Sequence, residues 1–79
     1  MKFRQQQIGR HRLCGVALDS SAGGYTASAQ LRYQREGGAD ELIWQDEGLD
    51  GLFACAEEAL CRAMDAALAR LQALAAVAA

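Results

Sequence analysis

Proline is absent from the 79 residues, histidine occurs once, and no apolar run approaches the ~18 residues of a membrane span. The last two shortages each remove a class of function. With His11 as the sole imidazole, a Cys or Ser nucleophile has one candidate base, and Cys14, three positions along a strand, points to the opposite face. No Cys–His catalytic pair is expected. Cys55 and Cys61 lie six positions apart on a helix and diverge by about 240°, so no metal site is expected either. No GK[ST] follows any of the glycine pairs, and the three acids of "DEGLDG" would repel a phosphate at the helix start beside them. The opening "MKFRQQQIGR" lacks the apolar core of a signal peptide, and three cysteines without framework spacing suit reduced thiols. The chain is expected to be cytosolic, with no membrane contact.

What is present is a small domain's worth of apolar residues, 52% of the chain, much of it alanine, which buries little area per residue. A chain this short buries only about 60–65% of the surface its unfolded form exposes. One thin-cored domain over residues 1–79 is the expectation, and a partner surface would help it. Charge is uneven: the first eighteen residues carry Lys2, Arg4, Arg10 and Arg12 and no acid, while Glu36 to Glu58 carries eight acids and no base. Those four cations are the candidate nucleic-acid contact, but a pI of about 5.2 argues against a dedicated nucleic-acid binder. The acids Asp40, Glu41, Asp46, Glu47 and Asp50 sit in turns and strand ends, where a solvated rim is expected rather than acid–base chemistry.

Arg12 to Ser20, "RLCGVALDS", reads as a strand that stops at a Ser-Ser-Ala-Gly-Gly turn. From Tyr25 to Arg35 apolar and polar residues alternate, with Tyr25, Ala27, Ala29, Leu31 and Tyr33 on one face and Thr26, Ser28, Gln30, Arg32 and Gln34 on the other. This is a half-buried strand. The glycine pairs at 23–24 and 37–38 supply hairpin turns, and Leu42, Ile43 and Trp44 mark a third, shorter strand. Residues 1–10 either lengthen the first strand or form a flexible basic arm.

From about Leu52 to Val77 the period changes to 3.6, with Asp50 at the N-cap position, Glu57 and Glu58 early, and Arg62 and Arg70 later. Glu58 and Arg62 form a favourable i,i+4 pair. Phe53, Leu60, Met64, Ala67, Leu71 and Leu74 form the stripe expected to cover the sheet. Ala56, Ala63 and Val77 fall on one flank; Ala54, Cys61, Leu68 and Ala75 fall on the other. The apolar arc is wider than a small sheet covers, so the second flank is the candidate interface. The fold predicted is α+β: a three-stranded antiparallel meander with one long C-terminal helix on one face, β-β-β-α.

In that order "GGYTASAQL", a glycine turn, a third strand and "FACAEEALCRAMDAALARL" resemble the HicB antitoxin family. The chain also resembles small uncharacterised ββ(β)α proteins of proteobacteria. The likeness spans residues 13–71 and implies a three-stranded sheet crossed by a helix; it carries over the fold and no functional residues. The family's Pro-rich segment after the second strand is missing here.

No converging acid, base, nucleophile or metal cluster is visible, so an enzyme is not expected, nor a cofactor. The leading expectation is a non-catalytic interaction module acting as a homodimer, through the surplus helix flank or a free strand edge. The alternative is a HicB-like antitoxin or regulatory protein that binds a small basic protein through residues 36–58, or nucleic acid weakly through the basic start.

Overall fold

The computed structural model describes residues 1–78. Four strands and a helix follow one another along the chain: β1 (Lys2–Ile8), β2 (His11–Asp19), β3 (Tyr25–Gln34), β4 (Asp40–Phe53) and α1 (Ala56–Ala78). The strands form one antiparallel sheet in chain order, and α1 crosses one face, chiefly over β2 and β3. The α+β class and the C-terminal helix are as expected. The strand count is not: the sheet has four strands rather than three.

The additional strand is the basic start of the chain. Lys2 to Ile8 pairs residue by residue with Ala17 to His11, joined through the two-residue loop Gly9–Arg10. It is therefore neither a mobile arm nor an extension of the next strand. Its lone apolar residues, Phe3 and Ile8, have opposite parity, so no buried face announces it.

The third predicted strand is also much longer than Leu42–Trp44. β4 runs for 14 residues and survives two irregularities. One lies near Ile43, between the pairs Leu31↔Trp44 and Arg32↔Leu42. The other is larger, because between Ser28↔Glu47 and Thr26↔Leu52 the single residue Ala27 faces a bulge of Gly48, Leu49, Asp50 and Gly51. Three of those four have left-handed φ, at 67° for Gly48, 55° for Asp50 and 77° for Gly51, and the excursion turns Leu49 into the core.

Asp50 consequently does not cap the helix. The helix begins at Ala56, four residues later than expected, with the Ala59 amide donating to the Cys55 carbonyl at 3.3 Å. The Asp50 carboxylate instead accepts from Arg62, which replaces the expected Glu58–Arg62 pair.

The core is made mostly of alanine. Ala17, Ala27, Ala29, Leu13 and Leu31 from the sheet meet Ala56, Ala59, Leu60, Ala63 and Ala67 from the helix, with Leu49 from the bulge. The buried stripe is thus rotated from the expected one. Ala56 and Ala63, assigned to a flank, are central; Leu74 is exposed, Met64 and Leu71 are partly buried, and Phe53 ends β4. Close approach explains the rotation. A Cβ built on Gly15 of β2 would lie 3.1 Å from both the Ala63 Cβ and the Met64 Sδ, so the helix rests its small residues directly on the glycine. Bulky residues at that contact would hold the layers apart.

Both predicted hairpin turns are present, with positive φ at Gly23, Gly24, Gly37 and Gly38. The first is tied by Ser20 and Gly24, whose amide and carbonyl meet at 3.0 Å. Gly24 has a second reason to be glycine: a Cβ there would stand 2.6 Å from the Phe53 carbonyl oxygen at the end of β4.

Candidate functional site

Side chains alternate across the sheet, so register assigns each residue to a face. The helix-covered face takes Lys2, Arg4, Gln6 and Ile8 from β1, opposite Ala17, Gly15, Leu13 and His11. His11 packs edge-on against Tyr33 of β3, with ring centroids 5.1 Å apart. The uncovered face takes Phe3, Gln5 and Gln7 from β1 and Arg12, Cys14, Val16 and Leu18 from β2. Phe3, Leu18, Leu42 and Leu52 are exposed large apolar residues.

The four cations of the candidate nucleic-acid contact do not converge. Arg4 lies on the helix side and donates to Glu57 Oε2 at 2.7 Å, with its other terminal nitrogen 3.9 Å from Cys61 Sγ. These contacts, that with Glu57 above all, hold its pKa above the ordinary guanidinium value. Arg12 lies on the opposite face, donating to Asp40 Oδ2 at 2.7 Å and to Gln7 Oε1 at 3.4 Å. Arg10, in the turn, reaches the Gln34 carbonyl at 3.4 Å, and Lys2 is exposed at the start of β1.

The acidic segment is partly neutralised from within. Asp40 meets Arg12 and, at 4.0 Å, Arg32; Glu41 pairs with Arg35, and Asp50 with Arg62. Cys14 is buried, although it belongs to the uncovered face, and Arg12, Arg32 and Asp40 are the charges that act on it. Burial pushes its thiol pKa up, against a smaller opposing pull from Arg12 and Arg32. Cys55 and Cys61 are exposed. Among the described residues no group of three His, Cys, Asp or Glu is placed to hold a metal ion, and no helix is long and apolar enough to cross a membrane.

The candidate helix flank has a definite place in the fold. Cys61, Leu68 and Ala75 are exposed on α1. Ala54, also exposed, lies ahead of the helix in the link after β4, because the helix starts only at Ala56, and so does not belong to the flank. Because Arg4 reaches from β1 to Glu57 and Cys61, this flank overlooks β1, and Leu68, two turns beyond Cys61, lies on the same side.

The free strand edge that the sequence suggested but did not place includes the one this flank overlooks, on a strand the sequence did not reveal. β1 is hydrogen-bonded only to β2, so its outer side presents unpaired backbone donors and acceptors along its whole length. Its sequence offers Lys2, Arg4 and three glutamines in a row, and no acid. The signal available was the run "KFRQQQI" followed by Gly9, a polar strand closed by a turn. No family model, curated protein or solved structure matches the chain.

Proposed function

We infer that the chain is a non-catalytic interaction module that works as a homodimer. The observation that carries this reading is the outer edge of β1, seven residues of regular strand with no bulge and exposed Phe3 within it. An edge of this kind pairs readily with another strand unless something blunts it. The thin alanine core supports the same reading, since so small a domain gains from added surface. Light scattering coupled to size-exclusion chromatography tests it: the expected mass at micromolar concentration is twice the 8.5 kDa of one chain. A constant mass of 8.5 kDa contradicts it.

An antitoxin-like or regulatory role is the second reading, through the acidic segment toward a small basic protein or through the basic start toward nucleic acid. Its support is the exposed Asp46 and Glu47 on β4. Removal of residues 1–12 is no test of the nucleic-acid branch, since it deletes a strand of the sheet. Lys2→Gln with Arg10→Gln leaves the strand intact, and a salt-titrated gel shift that these changes leave untouched removes that branch.

A further inference from the structure

We propose that β1 pairs antiparallel with β1 of a second copy about a two-fold axis through Gln5, joining two sheets into one of eight strands. The proposal rests on the homodimer reading above and specifies its interface.

Symmetry restricts the choices. A two-fold axis that relates neighbouring antiparallel strands stands perpendicular to the sheet, so it keeps faces and sets one residue opposite itself. Centred on Arg4, the pairing would oppose two guanidinium groups and leave Ile8 without a partner. Centred on Gln6, it would leave Lys2 and Phe3 outside the ladder. Centred on Gln5, it engages all seven residues of the strand: Lys2 with Ile8, Phe3 with Gln7, Arg4 with Gln6, and Gln5 with itself.

That register is also free of like-charge opposition. The two Lys2 residues stand six positions apart along the ladder, about 20 Å, beyond the screening length of about 8 Å at physiological salt. The two Arg4 residues are closer, offset by about 7 Å, but each is held by its own Glu57 at 2.7 Å. The intrachain ion pair weakens the repulsion left at that offset, which direct Arg4–Arg4 opposition would make larger.

Pairing with the other edge is disfavoured by shape. Between its irregularities near Ile43 and at Gly48, β4 has a regular stretch of only Trp44 to Glu47. Its acids would attract β1, but such a head-to-tail contact does not close and would build a growing filament.

The perpendicular axis puts both helices on the same side of the joined sheet. Each helix lies over β2 and β3, so their axes stand about four strand spacings apart, about 19 Å, while a helix is about 10–12 Å across. The two flanks carrying Cys61 and Leu68 then face each other across a groove floored by Arg4 and Gln6, without pressing together. This separates the proposal from a dimer formed by the flanks themselves.

Charge placed at the axis tests the register. Gln5 is exposed, so Gln5→Lys and Gln5→Glu leave the fold intact, which far-ultraviolet circular dichroism checks. Each change sets like charges directly opposite in a homodimer. Sedimentation equilibrium should show each variant alone with a dissociation constant raised up to about fivefold, and an equimolar mixture should recover wild-type association as the heterodimer. Leu68→Glu should leave the dimer unchanged. A wild-type dimer that ignores both Gln5 changes and is lost in Leu68→Glu overturns the edge pairing while the homodimer reading stands. A wild-type monomer at every concentration overturns both, and mass that rises past the dimer overturns the closed two-fold pairing in favour of β1–β4 stacking.

Discussion

The two outer strands of the sheet face the same problem and meet it differently. β4 carries Asp40, Glu41, Asp46, Glu47 and Asp50, and it is bent twice, so its outer edge is charged and irregular. β1 keeps unbroken register from Lys2↔Ala17 to Ile8↔His11 and carries only two charges. Bulges and edge charges protect sheets from unwanted pairing. Their concentration on β4, against an unbulged β1 with only Lys2 and Arg4, fits a sheet that is closed at β4 and left more available at β1. The bulge has an internal role too, since it turns Leu49 into the core while Asp50 meets Arg62 on the helix.

That contrast is broken most severely by removing the bulge's anchor. Leu49→Ala should cost about 3 kcal/mol in urea unfolding, because it leaves a cavity beneath the excursion and removes the reason for it. Gly24→Ala ranks next, at about 2 kcal/mol, since the new methyl would meet the Phe53 carbonyl at 2.6 Å and φ is 76°. Its neighbour Gly23 has nothing within 4 Å of a built Cβ, so Gly23→Ala should cost about 1 kcal/mol, from the positive φ alone. Equal losses at the two positions would contradict the close approach of the turn to β4.

At the β1 edge the effects are smaller. Glu57→Gln frees the charge on Arg4, and dimer dissociation measured by sedimentation should rise about twofold at low ionic strength and return to normal in about 0.5 M salt. Smallest is the effect of the buried thiol. The folded state keeps the Cys14 proton at pH values where the unfolded chain loses it, so stability is unaffected below the thiol's ordinary value near 9.0 and falls as pH rises from there toward the folded-state value. Urea melts at about pH 8 and about pH 10 should show a smaller drop for Cys14→Ala than for the wild type. In the same range a thiol reagent should modify Cys55 and Cys61 well before Cys14.

How legible the fold was depended on how each segment is buried. β3 is covered on one face and solvated on the other, so its alternation from Tyr25 to Gln34 was plain, as were the turns that bound it. β1 is exposed along almost its whole length, so no side-chain period marks it; its strand state comes from pairing with β2, a long-range relation that local pattern does not carry. In "DEGLDG" the acids and glycines that suit a helix start are the same residue types that suit a bulge, and Leu49's inward turn decided between them. The helix was recognisable by period, but its buried stripe was set by the glycine beneath it. Large residues marked the amphipathic face, whereas Gly15 admitted alanines at the closest contact. As for the candidate site, Lys2 and Arg4 were visible as charges. Their membership of an open edge required knowing which strand had only one neighbour.

Amide hydrogen exchange, resolved along the chain and followed as protein concentration rises, compares the two edges directly. The account predicts that outward-facing amides of residues 2–8 slow as dimer forms, while those of residues 40–53 exchange at an unchanged rate. Protection that appears on β4, or on Cys61 to Ala75 of the helix with none on β1, would contradict it.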